Sequence, residues 1–316
     1  MATASGINKV VSYKKETSFG TLPSPTTGGQ TLRRVSSTFN LTKETYQSEE
    51  IRTDYQLVDF RHGVRAVEGS ISGELSAGTY ADFLASALGR NWTAATPSAL
   101  GSTTIATVDG TYTITRTTGS WLTDAVRVGN VIRLTGFATA NNNVNLLVIA
   151  LTATVATVVA LNGIKLTNET VASGGAFVAT GKTTYAPTTG HTDDSYTFEE
   201  WYADIGQSEV TVGNKVNTVG IALPATGLTT IDLSFMGQDL KQRGTSQFFT
   251  SPSAQNSNGI FAAVNGALIV NGAPVALVTG ANFNINRNMT SEGVVGSNIK
   301  PEISEGRIVV DGDFST

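Results

Sequence analysis

The stretch from Ala66 to Trp92, AVEGSISGELSAGTYADFLASALGRNW, restricts the fold most, because a two-residue period gives way directly to a helical one. Val67, Gly69, Ile71, Gly73 and Leu75 alternate with Ala66, Glu68, Ser70, Ser72 and Glu74, the pattern of a half-buried strand with one apolar face and one small, polar and acidic face. Thr79 stands three residues before Asp82, a capping-box spacing that predicts a helix start. Tyr80, Phe83, Leu84, Ala87 and Leu88 then form one apolar stripe, and Gly89 is the expected stop. A strand with an acidic outer face, backed by a short helix, suits a subunit whose sheet faces something it must not bind.

The rest of the chain extends this β pattern. Its 316 residues exceed the ~100–200 of a typical domain, so two folding units are expected. The 33 glycines and many threonines point to short strands and tight turns, hence a mainly β fold. Charged residues make up 15% and the net charge is −4, so there is no basic excess to hold nucleic acid by its phosphates. Without cysteine there is no disulfide or thiolate chemistry, and any metal is left to two histidines and the carboxylates. The first twenty residues lack a basic-then-apolar leader pattern, and Leu146 to Leu161 is broken by Thr152, Thr154 and Thr157. No run reaches the ~18 apolar residues of a membrane span, and the expectation is a soluble protein made in the cytoplasm.

Lys9 to Tyr13 reads as a strand, Thr21 to Gln30 (TLPSPTTGGQ) as a loop or extended arm, and Leu32 to Leu41 as a strand again. Residues 42–65 are the most charged segment and read as a solvated hairpin or long loop. Such a run is either an exposed face or a docking arm, in which Glu49, Glu50, Arg52, Asp54, Asp59, Arg61 and Arg65 pair with a copy of the same molecule. After Trp92 charge almost vanishes. Thr111 to Arg116, Asn130 to Leu134, Val144 to Ala150 and Thr154 to Leu161 are strand-length runs, and Asn162-Gly163 before Ile164 to Leu166 is a hairpin signal. This segment reads as a small all-β module inserted into a larger domain.

The main domain resumes near Tyr185, with Tyr196, Phe198, Trp201 and Tyr202 as core aromatics. Asn217 to Leu223 and Leu228 to Met236 read as strands, Gln242 to Asn258 as polar loop, and Asn265-Gly266 with Asn271-Gly272 as turns framing a short strand. Arg307, Val309, Asp311 and Asp313 alternate with Ile308, Val310, Gly312 and Phe314, again giving an acidic face.

Catalytic signatures are weak. His191-x-Asp193-Asp194 lies in a turn without further ligands at metal spacing, and His62 falls in the charged segment. There is no Gly-x-Ser-x-Gly elbow, no dinucleotide glycine motif and no P-loop lysine. A glycosidase-type carboxylate pair stays open, since two acids can meet from anywhere in a chain. More informative is the recurrence of acidic-faced strands. Glu68, Ser70, Ser72 and Glu74, then Asp232 and Ser234, then Asp311 and Asp313 line either an ordinary solvent face or a negatively charged channel.

Several segments in order carry a resemblance: Val11–Gly20 (VSYKKETSFG), Leu32–Ser37 (LRRVSS), Ser48–Arg52 (SEEIR), Asp59–Gly63 (DFRHG) and Val67–Leu75 (VEGSISGEL). Phe198–Trp201 (FEEW), Val216–Thr218 (VNT), Val270–Leu277 (VNGAPVAL) and Val295–Asn298 (VGSN) continue it. Together they resemble the tail tube proteins of tailed bacteriophages over residues 9–93 and 185–314.

The resemblance implies a β-sandwich with a flanking helix, built into hexameric rings that stack as a hollow tube, their inner sheets merging into one barrel around the DNA path. The domain would span residues 1–93 and 185–316, with the all-β module 94–184 on the tube exterior because a lumen must stay open. Glu68, Ser70, Ser72, Glu74, Asp232, Ser234, Asp311 and Asp313 become lumen-lining candidates, and segment 42–65 matches the arm that stacks rings. No catalytic residue, metal or cofactor is implied. The partners would be further copies of the chain, the tape measure, tail terminator and distal tail proteins, and DNA that passes without tight binding, with no membrane. The location would be the virion, after synthesis in the host bacterial cytoplasm. The chain ends on the strand-like run at Thr316, an edge that is either completed by a neighbour or exposed. From another class, the Thr- and Asn-rich insert suggests a surface binding module, such as a capsid decoration or carbohydrate-binding protein.

Overall fold

The computed structural model describes residues 4–54, 56, 59–93, 96–108, 111–160, 164–179, 190–265, 269–270, 273–274 and 278–316. In chain order β1 (Lys9–Lys15), β2 (Gln30–Thr31), β3 (Ser36–Gln47) and β4 (Phe60–Glu74) precede the helix α1 (Ala81–Ala87). Next come β5 (Thr96–Val108), β6 (Thr111–Arg116), β7 (Val131–Thr135), β8 (Asn145–Leu151), β9 (Val155–Ala160) and β10 (Glu169–Ala179). The last group is β11 (Tyr196–Tyr202), β12 (Gln207–Pro224), β13 (Thr230–Gly237), β14 (Asp239–Gly244), β15 (Ile269–Val270), β16 (Ala273–Pro274), β17 (Gly280–Asn286) and β18 (Val309–Ser315). The fold is mainly β, as the composition predicts. Two compact units divide it: residues 1–91, 185–266 and 278–316 form the first, and residues 92–184 with 267–277 the second.

In the first unit two antiparallel sheets share one strand. The first half of β12 pairs with β11 and β14 in the order β2-β1-β11-β12-β14. Its second half pairs with β13 and β17 in the order β3-β4-β13-β12-β17-β18. The crossing falls at Gly213, whose φ is +68° and where a Cβ would come within 2.7 Å of Gln238 Cβ and 3.1 Å of the Phe19 ring. Its N–H donates to Glu16 Oε1 at 2.8 Å. Glu16 also accepts from the Gly20 N–H (2.8 Å), Ser195 Oγ (2.6 Å) and Thr197 Oγ1 (2.8 Å), so one buried carboxylate ties the loop after β1 to the bend of β12.

Both sheets and α1 contribute to one core that includes Tyr13, Phe39, Ile71, Phe83, Phe198 and Phe235. The glycines on the apolar side of β4 have a steric purpose, since a Cβ at Gly69 would stand 2.4 Å from Phe39 Cε1 and one at Gly73 1.7 Å from Tyr80 Oη. Two large aromatics therefore lie directly on the strand. Tyrosine hydroxyls fasten the helix: Tyr13 Oη donates to Asp82 Oδ2 at 2.9 Å, Tyr80 Oη to the Arg33 carbonyl at 2.9 Å, and Tyr196 Oη to the Asp82 carbonyl at 3.1 Å.

Burial, reinforced by Asp82, pushes the Tyr13 phenol up from its ordinary value, and burial pushes Tyr196 up and Tyr80 up to about 12. Because the folded values are raised, the contribution of these phenols is complete below pH 10.0, the ordinary value, and is lost as pH rises through the folded values. Over that window each costs the folded state about 1.4 kcal/mol per pH unit. Alkaline unfolding of the first unit is expected to begin above that pH, with these phenols ionising only as near-ultraviolet circular dichroism is lost. Ionisation of all the tyrosines with intact near-ultraviolet signal would contradict this.

Local expectations differ from the structure at two places. The capping box does not form, because the helix starts one residue later: Tyr80 is the N-cap, Thr79 Oγ1 bonds Ser76 Oγ at 2.5 Å, and the Asp82 carboxylate accepts from Tyr13. The expected strand at Leu32 begins only at Ser36, because the chain there moves between sheets: the Leu32 N–H donates to Val11 O and the Val35 N–H to Ser72 O. Of the two readings of the charged segment 42–65, the hairpin is the one that forms, as residues 42–47 pair with residues 60–66.

The second unit contains a closed barrel of order β10-β5-β6-β9-β8-β7. Leu100, Ile105, Ile114, Trp121, Leu134 and Val158 fill it at 0–1% exposure. Arg116, 3% exposed, stacks 5.1 Å over Trp121 and pairs with Asp124 at 2.5 Å. The four strands expected here are present within a residue or two. β5 and β10 were not expected, since Gly101 and Gly174 interrupt their alternation and the register shifts next to Gly175. Ile164 to Leu166 is not a strand, and β9 pairs instead with β6 and β8 while Leu166 packs into the barrel core. The Asn162-Gly163, Gly266 and Asn271-Gly272 turn positions lie outside the described residues, although Val270 pairs with Ala273.

Candidate functional site

The six-stranded sheet carries the acidic candidates. Its register sets Glu74 opposite Thr230, Ser72 opposite Asp232, Ser70 opposite Ser234 and Glu68 opposite Met236. Across β12 it sets Asp232 opposite Gly220 and Ser234 opposite Thr218, and these lead to Asn284 and Asn286 of β17. Asn284 then faces Asp311 and Asn282 faces Asp313. At the other side Ser36, Thr38 and Asn40 of β3 face Ser72, Ser70 and Glu68. All eight lumen-lining candidates, Glu68, Ser70, Ser72, Glu74, Asp232, Ser234, Asp311 and Asp313, therefore share one side of one sheet, the side turned away from the core.

Each carboxylate on this face has a neutral residue opposite it, so no two repel directly. Ser72 Oγ donates to Asp232 Oδ1 at 2.5 Å, and Asn282 Nδ2 to Asp313 at 3.3 Å. Thr38 Oγ1 and Ser70 Oγ lie 2.7 Å apart, and Thr218 Oγ1 and Ser234 Oγ 2.6 Å apart. The result is a layer of hydroxyl, amide and carboxylate groups. Along these paired rows stand five carboxylates, those of Glu68, Glu74, Asp232, Asp311 and Asp313, while Lys215, opposite Met236, is buried at 1% exposure with its ammonium on Asp193 and the Ile303 carbonyl, so no cation is exposed among them. The asparagines of β17 were missed in the sequence, yet the run Ala281 to Asn286, ANFNIN, alternates perfectly.

The second candidate group is the β3–β4 hairpin beyond the sandwich. From Thr42 to Gln47 every residue is exposed. The Ser48 N–H donates to Asp59 O at 3.1 Å, above which the tip carries Glu49, Glu50, Ile51, Arg52 and Asp54. Arg52 pairs with Asp54 at 3.2 Å and Arg61 with Asp59 at 2.9 Å, both exposed, so solvent screens them. Arg65 stands apart from this set: it bonds Asp239, 4% exposed, at 2.9 Å at the hairpin base. Tyr46, Ile51 and Phe60 are 54%, 101% and 47% exposed, an apolar load unusual for a ribbon with two wet faces. Tyr46, His62 and Val64, with Gly296, Ser297 and Asn298 opposite, line an open groove at its base.

Two of the segments that carry the resemblance, FEEW and VNT, hold internal fasteners. In FEEW, Glu199 accepts from Ser208 Oγ (2.7 Å) and the N–H groups of Phe248 (2.5 Å) and Phe249 (2.9 Å), while Glu200 pairs with Lys9 at 2.7 Å. In VNT, Asn217 Oδ1 accepts from the Met289 N–H at 3.1 Å. Asp193 and Asp194 are likewise engaged, with Lys215 and Lys15, each at 2.6 Å. Among the described residues no group of three or more acidic, histidine or cysteine side chains could hold a metal, and no helix is long and apolar enough to cross a membrane.

No curated protein matches the chain. Residues 6–316 match the family model described as phage tail tube protein, and the chain belongs to that family.

Proposed function

We propose that this chain is the repeating subunit of a phage tail tube, in which hexameric rings stack into a hollow tube and the polar face of the six-stranded sheet lines the lumen that conducts genomic DNA. The family is a structural one, assembling with itself and other tail proteins in the virion. The observation that carries the lumen reading is this face: carboxylates separated by neutral hydroxyl and amide groups, without an exposed cation among them. Duplex DNA presents about one negative charge per 1.7 Å of axis. A wall of like sign gives it no counterion to release, and the hydroxyl and amide groups keep a mobile water layer, so the polyanion passes without adhering.

Two further features support the assembly. The sheet is amphipathic and open at both β3 and β18, and pairing those edges between copies removes strands that would otherwise recruit any passing chain. The hairpin 42–65 supplies the stacking arm, with Glu49, Glu50, Arg52, Asp54, Asp59 and Arg61 as its polar residues and Arg65 anchoring its base through Asp239. The module 94–184 lies on the tube exterior in this reading, with the tape measure, terminator and distal tail proteins as end partners.

Negative-stain electron microscopy of the purified chain over a concentration series tests this. Hollow tubes or six-fold rings with lateral projections are the expected result. Compact particles without a bore, or tubes with a smooth outer wall, would respectively remove the tube reading and the exterior placement.

A further inference from the structure

The six-stranded sheet is amphipathic over its whole width, but its apolar side is covered over only part of it. On the last two strands the register pairs Ala281 with Phe314, Phe283 with Gly312 and Ile285 with Val310. These residues continue the side that carries Val219 and Ile221 on β12 and Leu233 and Ile231 on β13. Val219, Leu233 and Ile231 are buried, whereas Phe283, Val310 and Phe314 are 47%, 63% and 53% exposed. A Cβ at Gly312 would lie 3.3 Å from Phe283 Cδ1, so the ring rests over the glycine between Val310 and Phe314. Three large apolar groups thus form one strip beside a free strand edge. At the opposite edge of the sheet Val35, next to β3, is 70% exposed; in the other sheet Ile7, just ahead of β1, whose Lys9 Nζ donates to the Ser37 carbonyl of β3 at 2.7 Å, is 94% exposed.

We propose that Phe283, Val310 and Phe314 form a docking surface for a second copy of this chain, seated by its β3 edge, with Val35 and Ile7 of that copy among the groups that cover the strip. The inference rests on the ring reading and adds the residues that close the ring. Successive neighbours in this six-stranded sheet all run antiparallel, so β3 and β18 run in opposite directions. A rotated copy can therefore place its β3 against β18 as the next antiparallel strand, apolar side continuing apolar side and polar side continuing polar side. The incoming copy brings its own second layer, since its Leu32 is bonded to β1 and its Val35 to β4. Pairing β18 with another β18 about a two-fold axis also gives antiparallel strands, but it sets two uncovered strips side by side with no layer over either. The heterologous contact is the one that buries the strip, and repeated around an axis it closes a ring.

The chain contains no cysteine, so single thiols report cleanly. Val310→Cys, Val35→Cys and, on the other side of the same edge strand, Asp311→Cys would each be labelled with a small maleimide in sedimented assemblies and in dissociated protein. Val310→Cys and Val35→Cys are expected to react about tenfold more slowly in the assembly, with Asp311→Cys little changed. Equal rates for Val310→Cys and Asp311→Cys in assembled material would overturn the docking surface while leaving the tube intact. Protection of Val310→Cys with an unprotected Val35→Cys would overturn the β3-edge occupant in favour of a two-fold pair. A wild-type chain that never sediments as an assembly would overturn both this inference and the ring reading.

Discussion

Tubes carrying Glu68→Lys, Glu74→Lys and Asp311→Lys are expected to assemble normally and to release DNA about tenfold more slowly at low salt, the deficit shrinking as salt is raised. All three side chains point away from the core, and their strand neighbours are Asn40, Thr230, Met236 and Asn284, so the substitutions break no ion pair and leave no buried group unpartnered. Formal net charge would move from −4 to +2, because three carboxylates become three ammonium groups. Repetition around a ring and along a stack multiplies that change into a basic surface facing phosphate, where each contact releases a counterion and holds the duplex back. Ejection from reconstituted particles, followed by dye binding to released DNA at several salt concentrations, reads the effect. Unaltered kinetics with intact tubes would place these residues somewhere other than the bore.

The second large effect is on stability. Phe198 lies at the centre of an aromatic cluster, with ring centroids 4.5 Å from Phe39, 5.0 Å from Phe235, 5.8 Å from Phe83, 5.9 Å from Tyr13 and 6.3 Å from Tyr196. It is fully buried, and its neighbours come from both sheets and the helix, so no single element can move in to fill the space. Phe198→Ala is expected to cost about 4 kcal/mol, combining lost transfer energy with the cavity left behind. For a unit of this size that is a fall of roughly 10 °C in melting temperature. Calorimetry is expected to show the transition of the first unit shifted and that of the barrel in place. A shift of only about 2 °C would mean that the cluster relaxes around the gap.

What the sequence displays well is whatever a short window can hold. The alternation from Val67 to Leu75 and the stripe from Tyr80 to Leu88 survive intact in β4 and α1, with Gly89 at φ +60° ending the helix. The same is true of Thr111 to Arg116, which is β6 without adjustment. Features made by distant partners were not visible. Residues 207–224 form one strand because β11 and β14 hold one half and β13 and β17 the other, and Gly213 in its middle looks locally like a break. Glu16 carries no local sign that residues 195, 197 and 213 will converge on it. Thr79 and Asp82 misled for the converse reason: local spacing predicts a cap, and Ser76 and Tyr13 claim the two side chains instead. For the acidic face the sequence supplied the residues on each strand, and only the register placed Asp232 beside Ser72 and Asp311 beside Asn284.

One strand serving both sheets also has a mechanical meaning. Layers joined only by packed side chains can creep past one another when one of them is dragged, as the wall of a conduit is when its contents leave under pressure. Here β12 runs unbroken from the strand beside β14 to the strand beside β17, so the two layers are stitched by covalent backbone. A pull on the six-stranded sheet is carried along peptide bonds into the other layer, and shear between them is resisted by tension in a single thread.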